Sequence, residues 1–163
     1  MTDHLDIAAT AAGFTIDANP SHAPGPFQNR AGSLDDAVMR AAADEITGWA
    51  GYAPTPLHDL PEIAERLGVT RVVFKDESAR FGLGSFKALG GAYAVAHLAK
   101  QAEAAGGSIT DVTVATATDG NHGRSVSWGA SRAGCKAKIY IHAHVSKARE
   151  EAMAAFAADA VSY

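Results

Sequence analysis

Two clusters in this chain combine residue types that could do chemistry. The first is Gly82-Leu83-Gly84-Ser85-Phe86-Lys87-Ala88-Leu89-Gly90-Gly91, where a lysine stands at the mouth of an expected helix. Aligned amide dipoles place partial positive charge at a helix N-terminus, so an ammonium group is disfavoured there. A neutral lysine amine is what forms a Schiff base with an aldehyde, and a broken local rule is where function is expected. Taken alone, the segment equally accommodates a glycine turn with Ser85 as N-cap and Lys87 as a solvated surface residue. Nucleotide motifs do not fit. A Walker loop needs glycine before its lysine, where Phe86 stands, and the dinucleotide fingerprint needs a third glycine in place of Lys87.

The second cluster is Thr116-Ala117-Thr118-Asp119-Gly120-Asn121-His122-Gly123. It opens a helix, so its amides can hold a carboxylate, and Gly120 and Gly123 let backbone approach a ligand closely. Read alone, Asp119 or Asn121 serves equally as an ordinary N-cap.

Positioning both clusters requires a layered fold. Residues around Pro20, Pro24, Gly25 and Pro26 read as an extended leader. Ser33-Leu34-Asp35-Asp36 then opens a helix in the manner of a capping box, running to about Trp49. Tyr52-Ala53-Pro54-Thr55-Pro56-Leu57 cannot be helical, because each proline disfavours helix before it. A short helix carries Ile63, Ala64 and Leu67 on one face and ends at Gly68. From there strands over Thr70–Lys75, Val112–Thr118 and Ala137–His142 alternate with helices over Phe86–Ala105, Asn121–Ala133 and Ser146–Ala158. Alternation implies an α/β fold with a parallel sheet flanked by helices. In such sheets ligands bind at the carboxyl ends of strands, where both clusters fall. Ala158 to Tyr163 reads as the start of another strand, so the chain is expected to be the N-terminal portion of a longer protein.

Composition narrows the classes. Hydrophobic residues make up 47% of the 163 positions and charged residues 20%, which indicates a globular core. A net charge of −4 with scattered acids and bases offers no patch for nucleic acid or an anionic membrane. No apolar stretch is long enough to span a bilayer, and the start lacks the pattern of a secretory signal. The single cysteine, Cys135, excludes an internal disulfide and fits a reducing cytoplasm. It reads as an inert packed thiol.

Together, Ser85-Phe86-Lys87 and Gly120-Asn121-His122-Gly123 make the chain resemble the fold-type-II enzymes that use pyridoxal phosphate (PLP), the tryptophan synthase β-like fold. More narrowly, it resembles the diaminopropionate ammonia-lyases over roughly residues 25–163. Serine and threonine dehydratases typically follow Phe-Lys with a basic residue and glycine, where this chain has Ala88-Leu89, and carry a small residue where it has Asp119. A dehydratase-like β-eliminating enzyme is the runner-up, and a non-catalytic truncated remnant the alternative of a different class.

The resemblance implies roles by position. Lys87 would hold PLP through a Schiff base and serve as a proton-transfer base. Phe86 would pack on the cofactor ring, and Asn121 would hydrogen-bond its phenolic oxygen. The loop of Thr118, Asp119, Gly120, Asn121 and His122 would bind the substrate carboxylate. Asp119 would take the Cα proton of a D-isomer, and Lys87 that of an L-isomer. Loss of the β-amine of 2,3-diaminopropionate gives aminoacrylate, which hydrolyses to pyruvate and ammonia. The resemblance also implies that residues 1–107 belong to a larger PLP-binding lobe and 108–163 begin a smaller one. It implies a homodimer, a small amino-acid substrate, and a phosphate-binding loop beyond Tyr163, without which the isolated chain is expected to be inactive.

Other candidates weigh less. His142 and His144 lack further ligands in register, so no metal site is expected. Arg124 fits either an anion contact or a surface position. Lys75, Asp76 and Glu77, at the end of the first strand, match the family pattern and are expected to support the site from behind or to pack, not to be catalytic.

Overall fold

Residues 35–118, 120–156 and 158–162 are described by a computed structural model of the chain. Two compact units divide it, one containing residues 57–75 and the other 36–56 and 76–163.

In the first unit, strand β1 (Leu57–Asp59) pairs antiparallel with β2 (Val73–Lys75), setting His58 opposite Phe74. Between them runs a short helix, Pro61–Leu67, with proline at its start, where a missing N–H costs nothing. Glu62 in its first turn and Arg66 in its last complement the helix dipole. Gly68, at φ 65°, closes it in the left-handed conformation. That stop matches the expectation from sequence. The strand over Thr70–Lys75 differs: it is shorter and joins an antiparallel pair instead of the parallel sheet. Its partner, Leu57–Asp59, follows two prolines and carries too few residues for a strand pattern to register. All six strand residues are exposed, and only Ala64 of the helix is buried.

The second unit begins with α1 (Asp36–Thr47), so the expected helix is present while Ser33 and Leu34 of its capping box lie outside the described residues. We number the Pro61–Leu67 helix α2. After a 3-10 turn at Arg80–Gly82 comes α3 (Lys87–Ala104), then β3 (Thr113–Ala117), α4 (Asn121–Ala133), β4 (Lys136–Ile141), α5 (Lys147–Ala154) and β5 (Asp159–Ser162). Strands β3, β4 and β5 form a parallel sheet in that order, with Thr113 opposite Lys136 and Lys138 opposite Asp159. The alternation foreseen from sequence therefore holds from residue 87 onward. The last helix is shorter than Ser146–Ala158, because the chain turns at Ala155–Phe156 and buries Ala158 before β5.

Ala137, Ile139 and Ile141 alternate along β4 and are buried together with Val95, Val114, Val126 and Met153. Each large side chain removed from water in this way contributes about 1.5–3 kcal/mol. Helices α3 and α4 pack backbone to backbone. A Cβ on Gly129 would stand 2.7 Å from the Cα of Ala92, and one on Gly91 would collide with Ser125 Oγ. Small residues at this crossing bring the start of α3, and Lys87 with it, against α4. Gly134, at φ 79°, ends α4, and Cys135 behind it packs on the core, where burial raises its thiol pKa.

Candidate active site

Lys87 is the first residue of α3 and is exposed. Its peptide group is bracketed by two serines. The Lys87 N–H donates to Ser85 Oγ at 3.1 Å, and Ser125 Oγ of α4 donates to the Lys87 carbonyl at 2.8 Å. Phe86 is the N-cap position and makes no side-chain cap bond, so Ser85 instead takes the first N–H of α3 from two residues back and leaves Lys87 at the mouth of the helix. The Lys87 amine lies 5.4 Å from the ring centroid of Phe86, itself 58% exposed.

The turn before Lys87 is strained and strongly held. Phe81 has φ 49°, a left-handed conformation that costs a non-glycine residue about 1–3 kcal/mol. Its ring lies 4.8 Å from that of Trp128 and 5.8 Å from that of Trp49. Arg80, buried, donates to Glu77 at 2.8 Å and to the Ala53 carbonyl at 2.9 Å, while Thr55 also donates to Glu77. The hydrogen bond to Glu77 raises the pKa of Arg80 and keeps it charged. Glu77 therefore has a packing role, as expected, tying the Pro54–Pro56 segment to the turn.

Arg124 bridges the two clusters. Its guanidinium donates to the Leu83 carbonyl at 3.1 Å and to the Gly82 carbonyl at 3.3 Å. Neither expectation for Arg124, anion contact or free surface position, included this tether. It joins residues 41 and 42 positions apart, which no local pattern reveals.

An open cavity of about 550 Å³ is lined by Lys87 and Phe86, by apolar residues including Leu98, Val114 and Val126, and by Thr116 and His122. Gly120 and Asn121 line a different cavity of about 460 Å³, with Arg124 and Arg149. The structure thus brings Lys87, Phe86 and His122 together and places Asn121 elsewhere. Thr118, just past β3, donates its N–H to the Tyr140 carbonyl at 2.9 Å. Asp119 lies outside the described residues. Thr116 belongs to the second cluster but lies ahead of the expected carboxylate loop, near the carboxyl end of β3, where ligands of parallel sheets bind. The rings of His142 and His144 are 5.0 Å apart. Among the described residues no group of three or more His, Cys, Asp and Glu could hold a metal ion. No helix among them is long and apolar enough to cross a membrane.

The strand before Lys87 lies outside the parallel sheet, so only the glycine–asparagine–histidine loop follows one of its strands. That loop, with a helix-start lysine sharing a cavity with β3, defines a class. Residues 49–163 match the family of pyridoxal-phosphate dependent enzymes, and the chain belongs to that family. Diaminopropionate ammonia-lyase of Escherichia coli (strain K12) is 42% identical over 123 residues, covering 69% of this chain and 31% of that protein. The enzyme of the same name from Salmonella typhimurium (strain LT2) is 43% identical over 115 residues, covering 61% and 28%. The chain therefore spans less than a third of the length of either curated relative. The crystal structure of the Escherichia coli enzyme in complex with an aminoacrylate-PLP azomethine reaction intermediate superposes with a TM-score of 0.68 and 40% identity. That match covers 78% of this chain and 34% of the other. The fold is thus that of fold-type-II PLP enzymes, as the resemblance implied.

The residues present fit PLP. An exposed primary amine stands at the edge of a cavity whose wall is largely apolar, with an aromatic ring beside the amine. A flat, partly apolar aldehyde needs this combination. A Cβ on Gly90, in the cavity wall, would meet nothing within 4 Å, so the wall is open at that point.

Proposed function

We propose that this chain carries the cofactor lysine and substrate loop of a PLP-dependent ammonia-lyase that converts 2,3-diaminopropionate to pyruvate and ammonia. The observation that carries the reading is Lys87 at the first residue of a helix, sharing a cavity with Phe86, Thr116 and His122. When bound, PLP supplies an electron sink for the pair left behind when the substrate Cα–H bond breaks.

The chain's own residues bind, orient and move protons. Lys87 holds the cofactor and, in the L-isomer reaction, moves the Cα proton. Asp119 takes that proton from the D-isomer. Amides of the Thr118–His122 loop, at the start of α4, hold the substrate carboxylate against a favourable helix dipole. Phe86 covers the cofactor ring. In this reading residues 1–107 belong to the larger lobe and 108–163 to the smaller. Turnover is assigned to a homodimeric, cytoplasmic protein of the relatives' length. Cofactor capture is assigned to this chain.

Identity to two ammonia-lyases supports the substrate assignment. The test is borohydride reduction of the purified chain with PLP, followed by peptide mass mapping. A pyridoxyl adduct confined to Lys87 is expected. Scattered labelling, or none, would mean that cofactor capture needs the rest of a protein of the relatives' length. For the full-length protein, pyruvate release from D- and L-2,3-diaminopropionate should exceed that from serine. Asp119→Asn should remove the D activity and spare the L activity.

A further inference from the structure

Helix α4 does more than open with the substrate loop. Along one stretch it presents Arg124, Ser125 and Trp128 to the segment that ends in Lys87. Arg124 donates to the carbonyls of Gly82 and Leu83, Ser125 to the carbonyl of Lys87, and Trp128 packs its ring against that of Phe81 at a tilt. Arg124 and Trp128 are one helical turn apart, so they reach the same side.

We propose that Arg124 is a positioning residue, which locks the Phe81–Ser85 turn onto the start of α4 and thereby fixes Lys87 relative to the loop ending at His122. The inference rests on the proposed role of Lys87, but the lock itself is a property of the fold.

Three observations carry it. Both carbonyls that Arg124 takes belong to a turn with left-handed residues at Phe81, Gly82 and Gly84, a conformation that must be held from outside. A planar guanidinium can bond two neighbouring carbonyls at once, which a lysine ammonium on the same stem does less well. Third, the Nε of Arg124 is buried and finds no acceptor among the described residues. Burying a donor in this way is unfavourable, so the geometry serves the two terminal bonds at the expense of the third donor. A rigid α4 then carries both the loop ahead of it and the turn of Lys87. Relative placement within about 1 Å governs reactivity strongly, by as much as a hundredfold.

The test combines amide hydrogen exchange with PLP capture on the 163-residue chain, comparing wild type, Arg124→Met, Arg124→Lys and Trp128→Leu. Met keeps the apolar stem and removes the donors. The amides to follow are those of Gly82, Leu83 and Lys87, which bond to Ala79, Arg80 and Ser85. In Arg124→Met their protection should fall at least about tenfold while amides within α4 and β4 keep theirs. Borohydride-trapped PLP at Lys87 should accumulate about tenfold more slowly, for the placement reason above. Arg124→Lys should recover part of both.

Unchanged protection of the three amides in Arg124→Met overturns the proposal. So does equal loss through the turn, α4 and β4 in both Arg124 variants, because that is a global structural role. If neither Arg124 variant folds, Trp128→Leu decides: it loosens the same turn through Phe81, and the absence of local loss there also overturns the lock. Failure of the wild-type chain to capture PLP at Lys87 removes the capture readout and leaves the exchange result to judge the lock.

Discussion

The turn that delivers Lys87 and the loop that opens α4 both precede a helix, but they are secured differently. The first is held by side chains brought from elsewhere. Arg124 takes two of its carbonyls, Trp128 and Trp49 pack on Phe81, and Arg80 joins it to Ala53 and Glu77. The second is held by close packing at a glycine. A Cβ on Gly123 would stand 2.6 Å from Met153 Sδ and 2.9 Å from Thr118 Cγ2. Polar tethers tolerate a strained backbone, whereas a glycine contact demands a regular helix pressed against its neighbours. The comparison teaches that the lysine side of the site is adjustable by side-chain chemistry and the loop side only by volume.

The largest effect should come from the lysine itself. Lys87→Arg keeps the charge but cannot supply a neutral amine, so trapped adduct should vanish from this position in the peptide map. Because Lys87 is exposed, the unfolding free energy from denaturant titration should stay within about 0.5 kcal/mol of wild type. Retained labelling at neighbouring lysines would place the cofactor elsewhere.

Gly123→Ala attacks the second loop through volume. It should cost about 1–3 kcal/mol in urea unfolding, since Met153 and Thr118 must move. Tolerance of alanine there would show that the loop side is not set by close packing. Ser85→Ala attacks the first loop and should cost about 1 kcal/mol, the usual net value of a lost hydrogen bond, here that of the Lys87 N–H. Its exchange signature should be confined to the Lys87 end of α3. A spread of that signature into α4 would erase the distinction between tethered and packed loops.

The smallest effect concerns the far end of α3, where Lys100 meets Glu45 of α1. Glu45 pairs with Lys100 and accepts from Trp49 at 3.1 Å, and these bonds, Lys100 first, lower its pKa below the ordinary 4.5. A lowered folded-state pKa means stability that is present above the unfolded value and lost as pH falls through the folded one. Glu45→Gln should therefore be less stable than wild type near neutrality by less than about 1 kcal/mol, since the pair is partly exposed. The gap should close in acid, as read by melting temperature against pH. A gap that widens in acid would mean the pair opposes folding.

Much of this was legible along the chain. The bounds of α4 coincide with the expected Asn121–Ala133, because Gly120 and Gly134 mark both ends. Lys87 falls at a helix start because the glycines before it cannot continue a helix and the alanine-rich run after it can. The pairing of Leu57–Asp59 with Val73–Lys75 was not legible, since three exposed residues per strand carry no alternation signal. Nor was the separation of Asn121 from the cavity of Lys87, although both stand at the beginnings of adjacent helices.

What the sequence by itself determined is local: where helices and strands of the parallel sheet begin and end, which residue types stand at their mouths, and the family those residues mark. These follow from capping, periodicity and glycine placement, all short-range effects. Only the tertiary structure decided that Arg124, Ser125 and Trp128 act on a turn far back in the chain, and that His122 faces the lysine cavity while Asn121 does not. Those outcomes depend on how closely α3 and α4 approach at Gly91 and Gly129. Packing distance is a property of two surfaces together, and neither segment encodes it alone.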